Sequence, residues 1–149
     1  MPLFRQGGKP GILPGYRSRL EALLGSPVGA DGVAFEMAWE SVDDARHHLE
    51  RIPEMKKELQ QMKKEVNHRM KEIRDSFGVR RATVRANPLL ALAGKKRASQ
   101  SKAAKREKLR HQQDTALAPY QATRDCIDRA LLRLDSLEQQ INAWLAKQD

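Results

Sequence analysis

From Phe35 to Phe77 apolar side chains return at every third or fourth residue: Phe35, Ala38, Val42, Ala45, Leu49, Ile52, Met55, Leu59, Met62, Val66, Met70, Ile73 and Phe77. Such spacing lines one face of an α-helix, so a helix over about 33–77 is predicted. Two consecutive steps of three, around Ile52, break the heptad where Pro53 sits. A heptad break together with a proline predicts a kink. At 1.5 Å per residue this helix would extend about 65 Å, too long for a compact globule of this size.

A second stripe follows: Leu109, Gln113, Leu117, Tyr120, Arg124, Ile127, Leu131, Leu134, Leu137, Ile141 and Leu145. It predicts a helix over about 99–147, weakly amphipathic at first and strongly so later, with Pro119 inside it. The expected fold class is all-α: an elongated, coiled-coil-like antiparallel helical hairpin, kinked near Pro53 and Pro119 and carrying an N-terminal arm. The two prolines lie almost symmetrically about residue 86, which would bring both kinks to one level. The competing architecture starts a new helix at each proline and gives a bundle of four shorter helices. A two-helix seam is a thin core, so dimerisation into a four-helix bundle is also expected.

Residues 1–32 read as a Pro/Gly-rich arm. Met1 to Tyr16 hold four glycines and three prolines, which predicts an extended chain. Ser18 and Glu21 have capping-box spacing and Gly25 follows Leu23 and Leu24, predicting a short helix over about 19–24. The stretch GSPVGADG is a connector. Tyr16, Phe35, Trp39 and Trp144 are placed at the hairpin end away from the loop, as core, with the short helix as a cap.

Composition agrees with long amphipathic helices: 5% of residues are aromatic and 32% charged, with a mean hydropathy of −0.71. Cys126 is the only cysteine, so neither an intramolecular disulfide nor a cysteine-based zinc site is available. No segment has the length and apolarity of a membrane span or a signal-peptide core. A reducing cytoplasm is the expected location, or a virion if the protein is viral.

Charge changes the picture most. Arg80 to Arg110 holds eleven Lys/Arg against one acid, Glu107, a net charge of +10, while the remaining residues carry 17 basic and 18 acidic side chains. The whole chain's +9 is therefore local, and a localised basic patch implies a localised polyanion. The basic loop, 78–98, contains Asn87-Pro88 as a helix start and Gly94 as a stop, so Leu89–Ala93 are predicted to make one or two helical turns. Arg80, Arg81 and Arg85 precede this apolar knob; Lys95, Lys96, Arg97, Lys102, Lys105, Arg106, Lys108 and Arg110 follow it. These eleven are the candidate phosphate-binding residues, rewarded by counterion release without base recognition. No Phe, Tyr or Trp lies between Phe77 and Tyr120, so duplex DNA or structured RNA fits better than a stacked single strand. An anionic membrane touched by Leu89, Leu90 and Leu92 ranks below nucleic acid.

The string IRDSFGVRRATVRA, Ile73 to Ala86, resembles the turn and recognition-helix start of bacterial helix-turn-helix domains. That resemblance implies a turn at Gly78 and Arg80, Arg81, Thr83 and Arg85 facing the major groove. The same string also reads as a helix C-terminus with Gly78 as its stop.

Catalytic chemistry is not legible. His47 and His48 precede Glu50 without forming HExxH, Asp43 and Asp44 are adjacent, and Cys126 lacks a histidine in its pattern. His68 and His111 lack further metal ligands nearby, and no glycine-rich phosphate loop occurs. The expected function is therefore non-enzymatic, with no cofactor, metal or small-molecule substrate: a nucleic-acid-associated protein that binds phosphates through a basic hairpin tip. The alternative is a structural or assembly subunit of a larger complex, viral or ribosome-associated, whose arm and amphipathic helices dock protein partners. In that case the arm would become ordered only on its partner.

Overall fold

The computed structural model describes residues 11–29, 32–33, 35–84 and 94–148, the side chains of 32–33 and 95–97 excepted. Five elements follow one another: α1 (Pro14–Leu24), β1 (Val28–Gly29), β2 (Gly32–Val33), α2 (Val42–Ala82) and α3 (Lys95–Ala146). The fold is an all-α helical hairpin. It divides into two compact units, one of Met1–Asn67 with Pro119–Asp149, the other His68–Ala118.

In the first unit α2 and α3 run antiparallel, as their ion pairs record. Lys56 of α2 meets Asp135 at 2.5 Å and Glu138 at 3.5 Å, whereas Lys63, two turns on, meets Asp128 at 2.7 Å. Between them lie Ile52, Met55, Leu59, Met62 and Val66 from α2 and Ile127, Leu134, Leu137 and Ile141 from α3, all buried. These are the predicted stripe positions. This register sets Pro53 level with Glu138, not with Pro119, which corrects the expectation that both prolines share one level. Both helices run through their prolines, so the four-helix alternative is excluded.

Helix boundaries shift from the predicted ones for local reasons. α2 begins at Val42 instead of near residue 33, because Ser41 caps it: the Asp44 amide donates to Ser41 Oγ at 3.1 Å and the Glu40 amide to the Asp44 carboxylate at 3.5 Å. Phe35 is buried nonetheless, 2% exposed, its carbonyl accepting a bond from Arg133 Nε at 3.3 Å, while Ala38 is exposed. α1 starts at Pro14 instead of 19, with proline in the first turn already held at a helical φ, so Ser18 lies inside the helix instead of capping it. It ends as predicted at Gly25, which adopts φ 68° and donates its amide to the Glu21 carbonyl at 2.8 Å. The Glu21 carboxylate reaches forward to the Val28 amide instead of closing a capping box. The connector GSPVGADG holds a minimal antiparallel ladder, Val28 opposite Val33 and Gly29 opposite Gly32.

α1 flanks the shaft instead of capping its end. Arg19 forms a two-bond ion pair with Glu65 of α2, both at 3.1 Å, and Leu23 shares a shallow groove with Met55 and Glu58. Leu20 and Leu24 are buried. A third helix thus covers the seam in this unit, which removes the thin-core reason for expecting a dimer there. Tyr16 stands beside Arg19, whose guanidinium lies 5.4 Å from its ring, and so is not at the hairpin end. Trp39 and Trp144 do meet, edge to face, with centroids 6.4 Å apart.

In the second unit Met70 and Phe77 of α2 and Leu117 of α3 are buried, and Arg81 bonds Gln113. The first ten residues of the arm, Arg85 and the expected helical turns at Leu89–Ala93 lie outside the described residues.

Candidate nucleic-acid interface

α2 does not stop at Gly78. The helix passes through it to Ala82, so the residue is neither the turn of a helix-turn-helix nor a helix stop. The reason is local: Gly78 follows Phe77, a buried stripe residue, and Thr83 satisfies the helix end by donating its hydroxyl to the Val79 and Arg80 carbonyls at 3.2 and 3.1 Å. Arg80 and Arg81 consequently occupy the last helical turn, where a cation complements the macrodipole. Arg80 is exposed, its guanidinium 4.8 Å from the Phe77 ring centroid. Arg81 is half-buried, held by the Gln113 side-chain oxygen.

α3 begins at Lys95, four residues earlier than predicted, so Lys95, Lys96 and Arg97 open a helix instead of ending a loop. No acid lies in that first turn. The backbone of Lys95–Arg97 forms the positive end of the helix macrodipole. Lys102, Lys105, Arg106, Lys108 and Arg110 follow on the same helix, all exposed. The single acid of the region, Glu107, approaches Arg110 at 3.8 Å with both side chains about 70% exposed, a pair of little energetic weight.

Within this unit Arg81 fixes the level at which α2 ends: it bonds Gln113, and α2 stops one residue later. α3 continues from Gln113 back to Lys95, about 27 Å at 1.5 Å per residue. That stretch has no buried apolar stripe; Leu109 and Ala98 are only half-buried. Among the described residues Lys102, Lys105, Arg106, Lys108 and Arg110 are exposed, and their spacing is set by the helix.

Of the eleven candidate residues, the structure gathers Lys102, Lys105, Arg106, Lys108 and Arg110 on one exposed helical segment, with the backbone of Lys95–Arg97 at its start. Arg80 and Arg81 belong to a different helix. Sequence reasoning missed that Phe77 and Gln113 position these two arginines. The available signals were an aromatic three residues before Arg80 and a lone glutamine in a seam position.

The remaining candidates are occupied elsewhere. His68 pairs with Glu72 at 2.7 Å, one turn along the same helix. His48 Nε2 donates to the Ala38 carbonyl at 2.8 Å. Among the described residues no three His, Cys, Asp or Glu side chains gather where they could hold a metal ion, and no helix is long and apolar enough to cross a membrane. No protein family, curated protein or solved structure matches this chain.

Proposed function

We propose that this protein binds nucleic-acid phosphates through the basic start of α3, without catalysing a reaction. The observation that carries the reading is the run from Lys95 to Arg110, eight Lys/Arg against one acid on one continuous helix, of which Lys102, Lys105, Arg106, Lys108 and Arg110 are exposed. A helix held in water by its own charges gains most from a polyanion, because each neutralised phosphate releases a condensed counterion. Arg80, exposed at the end of α2, adds to the same positive field. The lack of aromatic residues from Gly78 to Pro119 favours a duplex or a structured RNA over a stacked single strand.

An assembly subunit whose arm waits for a protein partner has less support, since Ile12 is buried and Leu13 is bonded to Thr123 of the same chain.

The test is fluorescence anisotropy against duplex DNA and a structured RNA across a salt series, with a variant in which Lys95, Lys96, Arg97, Lys102, Lys105 and Arg106 become Gln. A log–log salt slope of several units is expected, flattened in the variant by up to about five, since each phosphate contact contributes about −0.9. Circular dichroism checks that helicity survives. No binding at low salt overturns the proposal.

A further inference from the structure

We propose that Thr83 and Ser99 are phosphorylation sites for a protein kinase that selects basic sequences, and that their modification weakens the binding of polyanions. The effect on binding rests on the proposed function, whose regulation it names; the two acceptor sites stand independently of it. A local repeat carries the assignment. Arg80-Arg81-Ala82-Thr83 at the end of α2 is matched by Lys96-Arg97-Ala98-Ser99 near the start of α3. Each places cations two and three residues before a hydroxyl, with an alanine between. Of the chain's ten Ser and Thr, only these two have cations at both positions; Ser76 and Ser136 have one, and the other six have none.

Kinases that discriminate by charge hold such cations against their own acidic residues, which sets the hydroxyl in register with the phosphoryl donor. Both hydroxyls can be presented in this way. Thr83 and Ser99 are exposed, and the Thr83 hydroxyl is engaged locally, by the Val79 and Arg80 carbonyls. Thr83 lies one residue beyond α2, and Ser99 is the fifth residue of α3. Helix ends fray at little cost in free energy, so the extended conformation that a kinase cleft accepts is within reach at both. Arg80 is exposed already, and Arg81 is released from Gln113 when the last turn of α2 opens.

In the transfer, Oγ1 of Thr83 or Oγ of Ser99 attacks the γ-phosphorus of a nucleoside triphosphate. The new O–P bond forms as the bond from that phosphorus to the β,γ-bridging oxygen breaks, a kinase aspartate takes the hydroxyl proton, and the nucleoside diphosphate leaves. Each phosphate brings a charge of about −1.5 to −2. Two of them cut the +10 of Arg80–Arg110 to about +6 or +7 and set acceptor oxygens among the cations that would otherwise meet nucleic-acid phosphates.

The full chain is incubated with magnesium, ATP and the catalytic subunit of cyclic-AMP-dependent protein kinase, a probe that reads cations at these two positions, and the product is mapped by tandem mass spectrometry. Phosphate is expected on Thr83 and Ser99 at least about tenfold faster than on any of the other eight Ser and Thr. Arg80→Gln should slow labelling of Thr83 and leave Ser99 unchanged, and Lys96→Gln should do the reverse. Failure at one site removes that site; failure at both, or equal labelling of the other hydroxyls, overturns the assignment. In fluorescence anisotropy the doubly phosphorylated protein should bind duplex DNA or structured RNA at least about tenfold more weakly than the unmodified protein. The double variant Thr83→Val, Ser99→Ala should be indifferent to kinase treatment. Equal affinity before and after phosphorylation overturns the regulation. Unmodified protein that binds no polyanion at low salt removes the proposed function itself, and the mass spectra still decide the acceptor sites.

Discussion

The Leu13 amide donates a 3.1 Å hydrogen bond to the hydroxyl of Thr123, and that hydroxyl donates in turn to the Pro119 carbonyl at 2.7 Å. Thr123 is fully buried, and this relay satisfies both sides of its oxygen. The Pro119 bond is a threonine back-bond to the carbonyl four residues earlier, common where helices bend. One buried side chain thus ties the N-terminal segment to α3.

Replacing Thr123 with Val keeps the shape and removes the hydroxyl. The Leu13 amide is left without its partner, and the expected cost is about 1–3 kcal/mol in urea unfolding. Hydrogen exchange at Leu13 should accelerate selectively. Thr123→Ser, which keeps the oxygen, should recover the exchange protection, and an unchanged Leu13 rate in the Val variant would show that the bond does not form in solution.

If α1 is an integral third helix, Leu20→Ala should destabilise the protein by about 2–5 kcal/mol, because Leu20 is fully buried. Leu132→Ala is the matched control. Leu132 is 68% exposed on α3, and its truncation should change stability by no more than about 0.5 kcal/mol. Equal effects from the two would mean that α1 is not docked.

Lys56 gives a pH signature. Its hydrogen bond to Asp135, with Glu138 and Asp135 adding Coulombic attraction, raises its pKa above the ordinary lysine value of 10.5 despite partial burial. A raised folded-state pKa means that the pair stabilises fully below the unfolded lysine pKa and is lost as pH climbs through the folded one. The stability gap between wild type and Lys56→Gln, about 1 kcal/mol, should therefore be flat from pH 7 to 9 and close above about pH 10.5. A gap that already shrinks between pH 7 and 9 would contradict the assignment.

Cys126 is 2% exposed, and burial pushes its thiol above the usual range, against the opposing influence of Arg129 and Arg17. A protonated, covered thiol is a poor nucleophile. Labelling by a thiol reagent should be at least a hundredfold slower in the native protein than in urea. Rapid native labelling would show that α1 and α3 separate readily around it.

The stripe from Val42 to Phe77 was legible in the sequence because apolar periodicity is a local signal, and Ile52, Leu59, Met62, Val66 and Met70 are buried where it placed them. Thr123, Cys126 and Ala130 were not in the predicted seam. Thr123 and Ala130 stand on the same face as Ile127, Leu134, Leu137 and Ile141, in steps of four and three, with Cys126 at its edge, and Leu13 is bonded to Thr123. The expected seam took Tyr120, Arg124 and Leu131 instead, which are half-buried, because a threonine and an alanine are weak apolar signals and nothing local marks which polar residue will be covered. The start of α2 was misplaced because Phe35 kept the helical spacing although it is buried from a non-helical segment, while the capping side chains Ser41 and Asp44 carried the actual signal. At the basic segment the sequence supplied every cation. It did not show that Arg81 is tied to Gln113, or that Lys95–Arg97 open a helix.

What the chain's sequence determined alone is its helical class, its two long amphipathic helices and the confinement of its charge to Arg80–Arg110. These follow from residue types and their spacing, which act over a few turns. The tertiary structure decided the register that sets Pro53 level with Glu138, the docking of α1 along the shaft, and which helix presents the basic residues. Those outcomes depend on Lys56 finding Asp135, Arg19 finding Glu65 and Leu13 finding Thr123, contacts between residues far apart in sequence whose pairing is fixed only when the helices interdigitate.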